Sequence, residues 1–76
     1  MSTMTLNILP RGQRAVVSTL TTDGAMRRRL LDIGLTPGTG VEALYRSGFG
    51  GLTAYLIRGT VIALRSEDAG TIQVIL

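Results

Sequence analysis

The feature of this sequence that most constrains its fold is a helix-stop signal near the middle of the chain. Gly34 follows an apolar helical stripe and fits the left-handed position after a helix, where a Cβ would clash. Leu35 can fold back against Leu30, which is the apolar contact of a Schellman ending. Pro37 then presets φ at the second position of a turn, and Gly38 supplies a positive φ at the third. The sequence therefore predicts a helix that ends at Gly34 and a tight turn directly after it.

The start of this helix is marked by Thr22 and Asp23. The side-chain oxygen of either residue can accept a free backbone N–H as an N-cap. At about 100° per residue, Met26, Leu30 and Ile33 fall on one stripe, which we expect to face the core. The segment therefore predicts one amphipathic helix with its polar side in water.

Short runs of β-branched and apolar residues occupy most of the remaining chain and predict strands. Leu6, Ile8 and Leu9 predict a short extended arm, closed by a turn at Pro10-Arg11-Gly12. The pair Arg58-Gly59 predicts a tight hairpin in which the glycine has positive φ. The predicted strands are residues 14–20, 41–46, 52–57, 60–65 and 71–76.

The connections between these strands are short. Residues 47–51 predict a flexible loop, and residues 66–70 predict a turn that contains one helical turn capped by Ser66. Short connections imply mostly antiparallel pairing, and a small sheet hides its edges best by curling into a barrel. We therefore expect one domain over residues 1–76 that is mainly β. It is a small barrel of about five strands with one helix inserted after the first strand.

The amino-acid types that the chain lacks exclude most catalytic chemistry. It has 76 residues and contains no His, Cys, Lys or Trp. Without His or Cys, neither a Ser-His or Cys-His nucleophile pair nor a Cys/His zinc site can form. Without Lys, there is no Schiff base and no phosphate-loop lysine. Only carboxylates remain for acid–base catalysis, so we expect a binding domain and not an enzyme.

Charge and hydropathy indicate an ordinary soluble domain. The net charge is +3, from eight arginines against five carboxylates, which is a usual value for solubility. No stretch approaches the roughly 20 apolar residues of a membrane helix. The N-terminal residues lack the charged and apolar regions of a signal peptide. We therefore expect a chain that does not insert into the membrane and that is located in the cytoplasm.

Glu67 and Asp68 are the only adjacent carboxylates and the only weak candidates for metal ligands. Hard metal ions prefer oxygen ligands, but two neighbours in one turn fall far short of a full coordination shell. The glycine-rich residues 48–51 lack the helix start and the Lys-Ser/Thr ending of a phosphate loop. We therefore expect no metal and no cofactor.

Three residues are candidates for contact with a partner: Arg28, Leu31 and Phe49. Residues 27–29 are all Arg, but a helix spreads them over about 200°, so they cannot form one basic stripe. Arg28 points outward beside Asp32, an i,i+4 pair of weak value. Leu31 lies about 140° from the start of the core stripe, as a flanking core residue or as a docking contact. Phe49 lies among glycines and either folds back on the barrel rim or anchors a partner.

Several segments together resemble one family. Residues 28–39 (RRLLDIGLTPGT) resemble the helix-to-turn signature of the ferrous iron transport protein A (FeoA) family. Residues 55–65 (YLIRGTVIALR) resemble the hairpin of that family. Its closing strand is matched by Ala69, Ile72 and Val74, and its opening by Leu9-Pro10-Arg11-Gly12. The likeness covers nearly the whole chain, in the expected order.

The resemblance implies an SH3-like barrel. It also implies a cytoplasmic accessory or regulatory protein of bacterial ferrous iron transport, which acts by contact with the cytoplasmic domain of the GTPase-bearing transporter subunit. The same barrel occurs as the C-terminal domain of metal-dependent repressors. A stand-alone relative of that domain and a small nucleic-acid-binding barrel are the alternatives. We expect no nucleic-acid partner, because stacking platforms need more aromatic rings than this chain has. Proline-peptide binding needs an aromatic-lined groove that the sequence does not show.

Overall fold

A computed structural model describes residues 2–46 and 51–76, and within them six strands form one antiparallel sheet. The spatial order of the strands is β1-β6-β2-β3-β4-β5. The strands are β1 Thr3–Thr5, β2 Arg14–Leu20, β3 Gly40–Arg46, β4 Leu52–Ile57, β5 Thr60–Arg65 and β6 Ile72–Ile75. Helix α1 spans Gly24–Asp32, helix α2 spans Ser66–Ala69, and a short 3₁₀ turn spans Leu6–Ile8.

The sheet is curled around an apolar core. Two register shifts, between Val17 and Thr19 on β2 and between Ala43 and Tyr45 on β3, mark β-bulges, which increase local bend and twist. Helix α2 packs against the 3₁₀ turn and against β5. The predicted mainly β architecture with one inserted helix is therefore confirmed.

The core contains side chains from every strand except β1, and from the 3₁₀ turn and both helices. Each large aliphatic side chain that is fully removed from water contributes roughly 1.5–3 kcal/mol to folding. The largest fully buried side chains are Tyr55, Leu6, Leu30, Leu35, Ile57, Ile72, Val17 and Val74.

The N-terminal segment differs from the predicted extended arm. Thr3–Thr5 form a short strand that pairs with β6, so the helix follows the second strand and the sheet has six strands, not five. Leu6 is fully buried, as is Leu9, whereas Ile8 is 58% exposed. An extended arm would turn residues 6 and 8 to the same side. A 3₁₀ turn instead aligns residues three apart, so it buries both leucines and leaves Ile8 in water.

Both helix starts differ from the predicted caps in their side-chain bonds. Asp23 is the N-cap of α1 and has extended backbone, but its side chain makes no capping hydrogen bond. The Thr22 hydroxyl is bonded to the hydroxyl of Thr71 instead. The prediction that Ser66 caps α2 is wrong, because the N-cap is Arg65. Ser66 already lies inside the helical turn, since its carbonyl accepts from the Gly70 N–H.

The helix stop at Gly34 is confirmed in detail. The Leu35 N–H donates to the Leu30 carbonyl at 3.1 Å, and the Gly34 N–H donates to the Leu31 carbonyl at 3.0 Å. This pair of bonds is the Schellman motif, and Gly34 has a φ of 108°. Leu30 and Leu35 are both buried in the core, as the predicted apolar contact requires.

Arg58 lies over this helix stop, although it is distant in sequence. Its Nη2 atom donates to the hydroxyls of Thr36 and Thr39 at 3.2 and 3.3 Å. A Cβ placed on Gly34 would lie 2.9 Å from the Arg58 Cδ atom. Gly34 is therefore favoured for two reasons: its backbone is left-handed, and the space beside it is filled by the Arg58 stem and by the buried Ile57 side chain, whose Cγ2 atom would lie 3.3 Å from that Cβ. The arginine joins the end of α1 to the hairpin between β4 and β5.

We expect Gly34→Ala to lower the free energy of unfolding by more than Gly38→Ala does. Gly38 also has positive φ, at 91°, but a Cβ there would have no atom within 4 Å. Its alanine variant should lose about 1 kcal/mol through backbone strain alone, and Gly34→Ala should lose that and the cost of moving the Arg58 and Ile57 side chains. Urea unfolding of both variants measures the difference. Equal losses would contradict a role for these two side-chain contacts.

Tyr55 ties the N-terminal turn to the sheet. Its side chain is 1% exposed, and its hydroxyl donates to the Leu6 carbonyl at 3.3 Å. Burial raises the pKa of Tyr55, while a hydrogen bond with Thr53 and the charge of Arg46 act in the opposite direction. The neutral phenol is therefore the form that the fold stabilises.

Tyr55→Phe should lower stability by about 1 kcal/mol at neutral pH, through loss of the bond to Leu6. Because the folded-state pKa lies above the ordinary value of about 10, the unfolded chain loses the phenolic proton first, and the wild-type protein loses stability as pH rises past 10. Phenylalanine has no such proton, so the difference between the two proteins should shrink above pH 10. Chemical unfolding from pH 8 to 11 tests this. Tyr45→Phe is the control for the loss of a hydroxyl group, because the Tyr45 side chain is 55% exposed.

Candidate partner-binding site on helix α1

Helix α1 has the inner face that its periodicity predicts. Leu30 is buried, and Met26 and Ile33 are half-buried and pack against the core cluster. The opposite side of the helix faces water. This arrangement leaves the outer side of α1 available for contact with another molecule.

Arg28 and Leu31 lie together on that outer side. They are three residues apart, so their side chains are neighbours on the helix surface. Both line a concave surface of about 330 Å³ that also includes Gly24, Arg27 and Asp32. Leu31 is half-buried and packs against the core, so it is a flanking core residue with part of its surface exposed. The structure therefore brings two of the three predicted contact residues into one patch, which we call the α1 patch.

The arginines around this patch have different environments. The Arg27 Nη1 atom donates to the Leu20 carbonyl at 3.1 Å, which ties α1 to the end of β2. The predicted Arg28–Asp32 pair is not formed. Within the described residues, 2–46 and 51–76, the ion pairs are Arg14–Glu42 at 3.1 Å and Arg65–Glu67 at 3.9 Å. Arg28 is exposed, and an exposed i,i+4 pair gains too little to offset the entropy of holding two side chains together.

The third predicted contact residue, Phe49, lies outside the described residues. Its loop joins β3 to β4, which end and begin at Arg46 and Leu52.

The weak metal candidates Glu67 and Asp68 lie in the short helix α2. Glu67 is 3.9 Å from the Arg65 guanidinium. In the part of the chain that the structure describes, no group of three or more His, Cys, Asp or Glu residues could hold a metal ion. In the same part, no helix has both the length and the apolar character needed to cross a membrane.

Sequence reasoning missed a second concave surface, on the outer face of the sheet. It has a volume of about 460 Å³, and its lining includes Val16, Gly40, Leu56 and Ile75. Val16 is 45% exposed, although it lies in an apolar strand. The sequence does not show which side of the strand faces water here, because Ala15, Val16 and Val17 are all apolar.

The aromatic residues do not form a stacking platform within the described chain. Tyr55 is buried in the core, whereas Tyr45 is exposed on β3. Single-stranded nucleic acids bind to several exposed rings beside a basic groove. One of the two tyrosines is therefore removed from any such surface.

Comparison with known proteins gives a consistent result. A family model described as the FeoA domain matches residues 4–76. FeoA from Chlorobium tepidum is 32% identical with a TM-score of 0.89, and the match covers 96% of this chain and 70% of that chain. FeoA from Stenotrophomonas maltophilia, crystallised with zinc and described as an SH3 domain protein, is 31% identical with a TM-score of 0.81. That match covers 93% of this chain and 88% of that chain, and it confirms the predicted SH3-like fold.

A manganese-dependent transcriptional repressor shares the fold. It is 24% identical with a TM-score of 0.85, and the match covers 96% of this chain and 41% of that chain. Comparison with curated proteins finds no match. The family model extends over nearly all of the sequence, and two FeoA structures above 30% identity superpose on the described strands and helices. The chain therefore belongs to the FeoA domain family.

Proposed function

We propose that this chain is an accessory or regulatory protein of bacterial ferrous iron transport, acting by contact with the cytoplasmic, GTPase-bearing domain of the transporter. The observation that carries the proposal is the family match over residues 4–76. The relative from Stenotrophomonas maltophilia is described as a candidate activating factor of bacterial ferrous iron transport. Residues 1–76 then act as one FeoA-like domain in the cytoplasm.

A role in binding, without catalysis, agrees with the chemistry of the chain. It contains no His, Cys or Lys, so activated nucleophiles and nitrogen or thiolate metal ligands are missing. The five carboxylates are Asp23, Asp32, Glu42, Glu67 and Asp68. Two of them, Glu42 and Glu67, are paired with arginines. We propose that the domain acts on the transporter through surface contacts alone.

We propose that the contact surface consists of the α1 patch with Arg28 and Leu31, and of the loop with Phe49. An aromatic side chain that enters a pocket on a partner is the typical anchor of a small interface. A charge at the rim of the interface mainly affects the association rate. Phe49 then supplies most of the binding free energy, and Arg28 supplies electrostatic steering.

Binding of this chain to the purified cytoplasmic domain of the transporter tests the proposal directly. Isothermal calorimetry should give a saturable one-to-one interaction, and a GTPase assay shows whether the hydrolysis rate changes. Apolar docking should also survive an increase in salt that would abolish binding to nucleic acid. If no binding is detected at every salt concentration tested, the proposed function is contradicted.

We expect Phe49→Ala to weaken this binding at least about tenfold, because truncating an aromatic anchor commonly costs 2 kcal/mol or more. Arg28→Ala should change the affinity little at physiological salt, where exposed charges are screened. Leu31→Ala should lower both the affinity and the stability, since it removes apolar surface that is exposed and apolar surface that packs against the core. Melting temperatures separate the two effects. If Phe49→Ala lowers the melting temperature and leaves binding intact, the ring belongs to the barrel, and Leu31 becomes the leading contact.

Ferrous iron should bind to the purified protein weakly at best. The chain offers only oxygen ligands, and Glu67 and Asp68 supply too few of them for a complete site. Calorimetric titration under anaerobic conditions measures the affinity. Stoichiometric binding with a submicromolar dissociation constant would contradict this expectation. The variant Glu67→Gln with Asp68→Asn should leave the titration unchanged.

A further inference from the structure

Strand β5 has one edge without a strand partner. It is the last strand in the order β1-β6-β2-β3-β4-β5, and no described segment pairs with its outer edge. Its inner edge pairs with β4 from Ile57↔Thr60 to Leu52↔Arg65. The Ser66 N–H continues this ladder by donating to the Gly51 carbonyl at 3.0 Å. The other edge therefore presents backbone donors and acceptors to solvent.

The residues whose backbone groups face solvent follow from the ladder. In an antiparallel pair, residues alternate between hydrogen-bonded and non-hydrogen-bonded positions. Ser66 is bonded to Gly51, just before β4, and the residues two, four and six positions before Ser66 are bonded to β4 itself. Val61, Ala63 and Arg65 therefore direct their N–H and C=O groups away from the sheet.

This edge lacks the features that usually prevent edge pairing. Natural edge strands are short, contain proline or an interior charge, or are bulged. Residues Thr60–Arg65 contain no proline or glycine, and the first charge is at the last position. Val61 is 55% exposed, and Ala63 is also exposed.

Open space lies beside the same edge. Two concave surfaces, of about 650 and 490 Å³, separate α1 from β5, and both are lined by Ile33 and Ile62. Ile62 is only half-buried, although it packs against the core cluster. An added strand could therefore extend the sheet and cover Ile62.

The sequence of the edge is complementary to itself in one antiparallel register. When Ala63 faces Ala63 of a second copy, Val61 faces Arg65, and the outward backbone groups meet in about six hydrogen bonds. Ile62 then lies opposite Leu64 of the other copy, an apolar cross-strand pair. The two alanines at the two-fold axis leave room for close approach of the backbones.

Charge favours an antiparallel over a parallel arrangement. Arg65 is the one charged residue of the strand, and it lies at its last position. In the antiparallel register, Arg65 of one copy lies opposite Val61 of the other, so the two arginines lie at opposite ends of the interface. A parallel arrangement would instead place like charges together.

We propose that β5 pairs with β5 of a second copy in this register, so that two domains form a homodimer with one continuous sheet. The pairing is isologous, as a two-fold dimer requires. It involves one strand from each copy, which is a small interface, so the dimer is weak and forms at high protein concentration. The proposal does not depend on the function proposed above.

Sedimentation velocity over a range of protein concentrations tests the proposal. The mean mass should rise from that of one chain towards that of two as the concentration approaches about 1 mM. Amide hydrogen exchange, followed by NMR, gives the position of the interface. The amides of Val61, Ala63 and Arg65 should become protected with increasing concentration, while other exposed amides do not change.

Two substitutions at the axis should abolish pairing. Ala63→Pro removes an outward N–H that the β4–β5 ladder does not use, so an edge strand tolerates it. Ala63→Lys keeps the backbone N–H group and places two like charges opposite each other at the axis. Each should raise the dimer dissociation constant at least about tenfold. The control Thr19→Lys adds the same charge to an exposed position of the central strand β2 and should leave the constant unchanged.

A single-chain mass at every concentration up to about 1 mM would overturn the proposal. So would a dimer that persists in folded Ala63→Lys, or one in which the three outward amides stay unprotected. If Ala63→Pro fails to fold, Ala63→Lys and the exchange data decide the question.

Discussion

The end of helix α1 and the arginine that lies over it fix the relation between the helix and the sheet. The Schellman bonds at Gly34 stop the helix, and the turn that follows bonds to β2 through Gly38 N–H to the Val17 carbonyl at 2.8 Å. Arg58 reaches the same turn from the β4–β5 hairpin through two threonine hydroxyls. One short segment thus contacts the helix, a central strand and an edge hairpin. The position of the α1 patch relative to β5 depends on this junction.

The parts of the fold that the sequence predicted are those set by local backbone chemistry. Three features can be predicted without knowing which distant residues are in contact: a left-handed glycine, a proline-glycine turn and a series of short strands. Each is present in the structure. The role of Arg58 could not be predicted, because it depends on contact with residues about 20 positions earlier in the chain. Its positive φ of 51° could not be predicted from the sequence either, since arginine is not a residue that favours this conformation.

The errors at the chain start and at Thr22 share one physical cause. Thr3–Thr5 have no marked strand pattern, and they become a strand only because β6 offers an edge. Thr22 has the side chain of an N-cap, but tertiary contact gives it Thr71 as a partner. In both cases, a hydrogen-bond partner that is distant in sequence decides the local structure. The α1 patch was predictable because helical periodicity alone places Arg28 and Leu31 on one side.

The two proposed interaction surfaces are adjacent, which has a consequence for both. Leu31 belongs to the α1 patch, but it also lines the concave surface of about 650 Å³ that includes Thr60 and Ile62 of β5. A second copy that covers Ile62 therefore approaches Leu31, and a transporter domain that contacts Leu31 approaches the edge of β5. If both proposals hold, the two interactions compete for one side of the domain. Self-pairing then reduces the fraction of chains available to the transporter as concentration rises, because each dimer withholds two copies of the patch.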